Sequence, residues 1–406
     1  MCGIFAVVGG ANAPERVVAG LKRLEYRGYD SWGVAVVDRG SLHVEKHVGK
    51  ISGVDRVALP AGEIAVGHTR WATHGGVTQT NAHPHFSTDQ RFVLAQNGVV
   101  ENFAELNQLQ EKGYDFSTQT DTEVIVRLIE DKLKETAELR EAVLKAFNQL
   151  KGRNTIILLS QDGQVLAARN GSPLLLGHNP VTNTYLLSSD VLSLASEAVE
   201  YAVIENGELV ELIDGHYKVC RADNGEVIDR PLEPLVLQHT EATKGNFPHF
   251  MLKEIYDTPS VIDQVIEQPP HLIDQLADML RDTHEAGRQI YCIGSGTAGV
   301  AAAQMAYYLR MFASIPAVGL VGADALEYLP LLQSNDVMIA PSQSGETADV
   351  LEVLEAAKSL GVRIVTYVNM PASTMTRLAD ISFLANAGPE ICVMSTKMFT
   401  SQVAWG

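Results

Sequence analysis

Short apolar runs bounded by turn residues dominate the first half of the chain, and they predict strands. The segments "CGIFAVVG", "WGVAVVD", "LHVEKHV", "EIAVGHTR", "RFVLAQNGVV", "NTIILLS", "TYLLSSD" and "HYKVCRA" are rich in β-branched and aromatic residues, and Gly, Asp or Asn punctuates them. Three segments change to helical spacing. "PERVVAGLKRLEYRG" sets Val17, Val18, Leu21 and Leu24 on one face behind Pro14, "DTEVIVRLIEDKLK" follows with Asp121 as a candidate N-cap, and "ELREAVLKAFNQLKG" ends on a glycine. Runs of strands with helices grouped between them predict a layered α+β unit, sheet packed on sheet.

Near residue 235 the rhythm changes. "DRPLEPLVLQHTEATKGNFPHF" has three prolines and no sustained period, and it reads as a linker. Beyond it apolar strands alternate with amphipathic helices: "QIYCIGSG" and a helix from about Thr297 to Phe312, "AVGLVG" and a helix, "DVMIAPSQSG" and "ETADVLEVLEAAKSLG", "RIVTYVN" and a helix, then "ISFLAN". This predicts an α/β unit with a parallel sheet covered on both faces. The domain plan is therefore 2–230, a linker 231–253, and 254–406. The chain stops in "STKMFTSQVAWG", just as a helix begins after Ser395, so the second unit is expected to be an incomplete piece of a longer protein.

Composition narrows the class. A net charge of −18 on 406 residues, without a basic stripe, argues against nucleic acid as the main partner. No apolar run approaches the ~18 residues of a membrane span, and the N-terminus lacks a signal peptide's basic and apolar regions. The cytoplasm is the expected location. The four cysteines are far apart, without metal-ligand spacing, and neither a metal nor a cofactor is expected. Cys220, Cys292 and Cys392 lie in or beside apolar runs and are expected to be buried thiols.

Cys2 has no such context on its N-terminal side. It is either a small apolar residue at the start of a strand or a nucleophile. If an aminopeptidase removes Met1, Cys2 carries a thiol and a free α-amine together. That amine titrates near about 7.7–8.0, so it can take the thiol proton and later return it to a leaving group. In "HTRWATHG", Arg70 can hold a carboxylate in bidentate fashion, with Thr73 and His74 as further polar groups and Trp71 as a lid or a core residue. Alternatively, Arg70 and His74 belong to a surface salt-bridge network. In "QNGVVEN", Asn-Gly ordinarily marks a hairpin turn. Alternatively, the Asn97 side chain and the Gly98 N–H face a developing oxyanion. In "TDTEV", Asp121 either caps a helix or binds an ammonium group.

Taken together, Cys2-Gly3-Ile4, "EYRGYDS", "HTRWATHG", "NAHPH", "QNG" and "TDTEV" resemble the glutaminase domain of the class II, N-terminal-nucleophile amidotransferases. The resemblance implies an αββα sandwich in which Cys2 attacks the side-chain amide of L-glutamine. It further implies that Asn97 and Gly98 form the oxyanion hole, Arg70 binds the carboxylate, Asp121 binds the ammonium, and Thr73 and His74 complete the pocket. Trp71 would gate ammonia, and Arg27 and Asp30 would build the pocket floor.

The second half suggests the acceptor. "MIAPSQSGET" and "CIGSGTAG" each place hydroxyls and N–H groups between a buried strand and a helix N-terminus, a setting that suits phosphate. Neither has a convincing dinucleotide fingerprint. "SQSGETADVL" and "NAGPEICVMSTKMFTSQ" resemble a sugar-isomerase (SIS) domain. Joined to the glutaminase domain, they resemble the isomerizing aminotransferases that deliver ammonia to fructose-6-phosphate and yield glucosamine-6-phosphate and glutamate. Ser295, Ser342, Gln343, Ser344 and Thr347 would hold the phosphosugar, with Val393 and Ser395 beside it. The family's first phosphate loop usually carries a Thr-Ser pair where this chain has Ser295-Gly296. Its second SIS domain and tail supply the lysine, glutamate and histidine for ring opening, so this chain is expected to retain mainly glutaminase activity. A homodimer through the sugar-isomerase half is implied. Rival readings are a class II amidotransferase with a pyrophosphate or ATP-dependent acceptor site, and a non-catalytic phosphosugar sensor.

Overall fold

The computed structural model describes residues 2–235 and 244–406, so part of the 231–253 linker lies outside the described residues. The chain forms two compact units, residues 1–239 and 240–406.

Two antiparallel sheets build the first unit. The larger has eight strands, in the spatial order Glu233–Pro234, Glu200–Val203, Leu175–Asn179, Thr184–Ser188, Gly3–Val8, Ile64–Arg70, Ser31–Asp38 and Ser41–Val48. The smaller has seven, in the order Val227–Ile228, His216–Arg221, Glu208–Ile213, Val165–Asn170, Asn154–Ser160, Phe92–Gly98 and His85–Phe86. The period of two decides which side chains meet where. Ile4, Ala6 and Val8 face Val93, Ala95, Ile157 and Leu159 across the gap between the sheets. The alternate residues Phe92, Leu94, Ile156 and Leu158 pack outward under the helices Asp121–Lys132 and Leu139–Phe147.

On the opposite face the helix Ala13–Leu24 covers the larger sheet, burying Val17, Val18, Leu21 and Leu24. Its contact with Phe5 requires Gly20, where a Cβ would lie 2.3 Å from the Phe5 ring. The layers are helix, sheet, sheet, helix: the strand runs predict the packing of sheet on sheet, and the resemblance implies the full αββα order. This arrangement places the N-terminal strand in the middle of the larger sheet, between Thr184–Ser188 and Ile64–Arg70. A chain end that would otherwise fray is thus held by two ladders.

The second unit is a parallel sheet of five strands in the order Ala317–Val321, Ile290–Gly294, Val337–Ser342, Arg363–Val368 and Ile381–Leu384. In chain order this is 2-1-3-4-5, so the direction of winding reverses between Ile290–Gly294 and Val337–Ser342. A crevice opens at the carboxyl ends of strands flanking such a switch, where α/β folds bind ligands. The helices Thr297–Phe312 and Ala348–Ser359 begin directly after those two strands. The segment after Ala317–Val321 is a 3₁₀ stretch, Gly322–Leu331, with Pro330 inside it, in place of the expected α-helix.

Cys220 and Cys292 are buried, as expected, and burial pushes the Cys292 thiol up to about 12. Cys392 departs from the expectation. It is only half-buried, on a loop after the last strand, where its thiol lies 2.6 Å from the Met394 carbonyl. Among the described residues no helix is long and apolar enough to cross a membrane.

Candidate active site

Cys2 precedes the first residue of the central strand, beside the end of its neighbour Ile64–Arg70. Its Sγ accepts the Trp71 N–H at 3.3 Å and lies 3.5 Å from the Trp71 carbonyl. Its main-chain carbonyl accepts Asn97 Nδ2 at 3.2 Å and Arg27 Nε at 3.3 Å. Burial pushes the thiol up; the Trp71 amide, Arg70 and Arg27 pull it the other way. A thiol so placed is mostly protonated at neutral pH and needs a base at the moment of attack.

Asn97-Gly98 ends the strand Phe92–Gly98 rather than turning a hairpin. Gly98 pairs with Asn154, has φ of +133°, and would bring a Cβ within 1.9 Å of the Arg153 carbonyl oxygen. Glycine is required there by a close main-chain approach, and turn formation plays no part.

Arg70 is the last residue of its strand and is 3% exposed. Its guanidinium donates to the carbonyls of His74, Gly75 and Gly76, which shapes the 72–76 loop around it. Cys2, Asp121 and Asp30 all act on its charge, so these groups share one neighbourhood. Asp121 is the first residue of its helix, and Thr120, in extended conformation, is the N-cap. The expected capping role therefore fails. The carboxylate instead accepts the Val100 N–H at 2.8 Å, which ties the helix start to the segment after Gly98. Burial raises the Asp121 carboxyl, opposed by that N–H and by the charges of His74 and Arg70. A cation beside it would relieve the penalty.

The remaining predicted residues divide. His74 is partly buried, its ring 4.8 Å from that of Phe103. Trp71 meets Tyr29 edge to face at 5.3 Å. Thr73 is exposed. Arg27 is paired with Asp190 at 3.2 Å, each side chain at most 5% exposed, and Asp30 accepts the Ala72 N–H at 2.8 Å. Sequence reasoning missed Asp190, which also accepts the Tyr26 hydroxyl at 2.5 Å. It also gave no role to the buried histidines His68, His83 and His85, which stand within the quoted strings "HTRWATHG" and "NAHPH" but carry no local sign of burial.

In the second unit, Ser342 ends the strand Val337–Ser342, Gln343, Ser344 and Thr347 follow it, and Ser295 follows the adjacent Ile290–Gly294. Both loops thus leave the carboxyl edge at the switch point. Ser342 Oγ accepts the Gly345 N–H at 2.9 Å, and Ser344 Oγ accepts the Glu346 N–H at 3.1 Å, which closes a tight turn. Ser295 Oγ is buried with no hydrogen-bond partner. Gly296 has φ +59° and ψ −132°, a conformation that residues with a side chain rarely adopt, which accounts for the glycine in this loop.

Val393 and Ser395 lie on the 385–396 loop at the same edge. Their loop is held by two buried carboxylates that sequence reasoning also missed. Glu254 accepts from the Ile391 and Cys392 amides, and Glu390 accepts from Ser395 Oγ and the Thr396 and Met398 amides. Val393 is exposed.

A cysteine at the head of the central strand of an αββα sandwich, followed by a parallel sheet of 2-1-3-4-5 order, has the architecture of an N-terminal-nucleophile amidotransferase joined to a sugar-isomerase domain. Residues 68–196 match the model of the glutamine amidotransferase domain, and residues 284–406 that of the SIS domain. The isomerizing glutamine–fructose-6-phosphate aminotransferase of Bacillus subtilis strain 168 is 38% identical over 411 residues, 100% of this chain and 68% of that protein. Its namesake in Staphylococcus aureus strain N315 is 38% identical over 414 residues, again 100% of this chain and 68% of that protein. A solved structure of the allosteric regulatory enzyme of purine biosynthesis covers 98% of this chain and 94% of its own, with a TM-score of 0.50 and 20% identity, a likeness of fold alone. The chain belongs to the isomerizing glutamine–fructose-6-phosphate aminotransferase family.

Proposed function

We propose that the chain hydrolyses L-glutamine at Cys2 and delivers the ammonia to fructose-6-phosphate, yielding glutamate and glucosamine-6-phosphate. Removal of Met1 exposes the Cys2 α-amine, which takes the thiol proton as Sγ attacks the side-chain amide carbon. Asn97 Nδ2 and the Gly98 N–H stabilise the oxyanion. The amine returns the proton to the departing ammonia, and water then cleaves the thioester to glutamate. Arg70 holds the substrate carboxylate, Asp121 its ammonium, and Thr73 and His74 border the pocket; Trp71 gates ammonia release.

In the second unit the hydroxyls of Ser295, Ser342, Ser344 and Thr347, with Gln343, hold the sugar phosphate at the N-termini of two helices. Val393 and Ser395 line its side. A homodimer through this unit belongs to the same proposal: the helix Thr297–Phe312 leaves Val300, Tyr307, Met311 and Phe312 exposed, a face a second copy would cover.

The observation that carries the reading is that the Trp71 N–H reaches the Cys2 thiol and the Asn97 amide the Cys2 carbonyl, while Cys2 and Asp121 both act on the charge of Arg70. The buried, unpartnered Ser295 hydroxyl supports the sugar site, since such groups in native folds usually await a ligand or water. Glutamate release from glutamine, measured with and without fructose-6-phosphate, tests the reading. Glutaminase turnover is expected in this chain. Binding of fructose-6-phosphate with no glutaminase turnover at all would favour the sensor reading instead.

A further inference from the structure

An asparagine can serve an oxyanion only if its amide nitrogen, and not its oxygen, faces the reacting centre. The two ends of a carboxamide are nearly alike in shape, so the surroundings must choose between them. At Asn97 the choice is made by His68, buried in the strand Ile64–Arg70 and 0% exposed. Its Nε2 lies 2.9 Å from the Gln96 carbonyl oxygen and 3.1 Å from Asn97 Oδ1. A main-chain carbonyl can only accept, so Nε2 carries the proton. The Asn97 atom facing that proton is then oxygen, and the nitrogen is left to point at Cys2, whose carbonyl it reaches at 3.2 Å.

The other side of the ring forbids the alternatives. His68 Nδ1 is buried with no hydrogen-bond partner, so a second proton would find no acceptor. The His83 ring stacks on that of His68 at 4.3 Å. His83 is itself fixed: its Nδ1 accepts the Gln96 N–H at 3.3 Å, its Nε2 donates to Thr122 Oγ1 at 3.1 Å, and the Thr122 hydroxyl donates to Gln96 Oε1 at 2.6 Å. Every proton in this ring of contacts has one possible place. Burial drives His68 down to about 3, in keeping with a neutral imidazole.

We propose that His68 is a positioning residue of the glutaminase: its neutral Nε2–H locks the Asn97 carboxamide with the nitrogen toward Cys2. The inference rests on the glutaminase reading of Cys2 and Asn97. His68 Nε2 bonds the Gln96 carbonyl and Asn97 Oδ1, so it acts on the reacting centre through Asn97.

His68→Phe keeps a ring to stack on His83 and removes the donor. Its kcat for glutamine hydrolysis is expected to fall roughly ten- to a hundred-fold, less than the loss of a whole oxyanion donor. KM should change by less than about three-fold, because Arg70 and Asp121 are untouched. His68→Gln, whose amide N–H can reach the same acceptors, should recover most of the rate. A folded His68→Phe protein with kcat within about two-fold of the parent, or with its loss confined to KM, overturns the proposal. If His68→Phe does not fold, ¹⁵N-histidine spectra of the unmodified chain decide. A neutral Nε2–H tautomer at neutral pH is required, and an Nδ1–H tautomer or an imidazolium would refute it. An inactive parent would instead count against the glutaminase reading, while the tautomer would still report on His68.

Discussion

Replacing Gly98 by alanine adds one methyl group at the point where the strand Phe92–Gly98 passes the Arg153 carbonyl. The new Cβ would lie 1.9 Å from that oxygen, about 1.1 Å inside the 3.0 Å that real Cβ atoms keep. Neither neighbour is a flexible side chain tip: one is main-chain carbonyl and the other is the strand itself, paired to Asn154. The φ of +133° adds strain of about 1–3 kcal/mol for an L-residue. Relief requires the strand end to move by about an ångström, and a displacement of that size at a reacting centre costs roughly a hundred-fold in rate. Gly98→Ala is therefore expected to lose about 3 kcal/mol or more of stability in the first unit, and its glutaminase kcat should fall roughly a hundred-fold. Urea unfolding and steady-state glutamate release measure the two effects. A Gly98→Ala protein with the parent's kcat would refute both the steric argument and the placing of the oxyanion hole at this strand end.

Three further outcomes follow from the same geometry. Arg70→Lys should raise KM for glutamine by about ten-fold or more with a smaller effect on kcat, because a point charge cannot replace the planar fork that also holds the 74–76 carbonyls; steady-state kinetics reads the split. Ser295→Ala should leave the melting temperature unchanged, since Ser295 Oγ makes no hydrogen bond to lose, yet weaken fructose-6-phosphate binding about five- to twenty-fold by calorimetry. Acid should destabilise the first unit through its histidines. His68, His83 and His85 are held neutral chiefly by burial, so between their ordinary pKa near about 6.5 and their depressed folded values only the unfolded chain takes up the protons. The stability they contribute is full above about pH 6.5 and declines below it, by up to about 1.4 kcal/mol per pH unit for each histidine. Urea midpoints from pH 7 to 5 should show that decline, with a shallower slope in His85→Gln; a midpoint flat over this range would contradict it.

The strand runs and the change to alternating strands and helices near residue 235 were legible because each depends on local pattern; Cys2, Arg70, Asn97 and Asp121 stand far apart in sequence, and only the resemblance carried by their short motifs joined them. What escaped depends on contacts between distant residues. Asn97-Gly98 has the composition of a hairpin turn, but the reason for the glycine is the Arg153 carbonyl on a neighbouring strand. Asp121 has the composition of a cap, but its carboxylate is drawn to the Val100 amide and leaves Thr120 at the helix boundary. The histidine array joins residues 68, 83, 96 and 122, and no spacing rule links them. Glu254 and Glu390 likewise hold the 385–396 loop from positions 136 residues apart in sequence, as their shared bonds to Thr396 record.

The central claim is that Cys2 acts as residue one, with its own α-amine as the base. Glutamate release should be compared between protein whose N-terminus is verified by mass spectrometry as Cys2 and the same protein with Met1 retained, with Cys2→Ala as the blank. The processed protein is expected to turn over glutamine, and the Met1-retained protein to sit at the Cys2→Ala level while keeping the parent's unfolding midpoint and fructose-6-phosphate binding. Full glutaminase activity with Met1 in place, or in Cys2→Ala, would contradict the account.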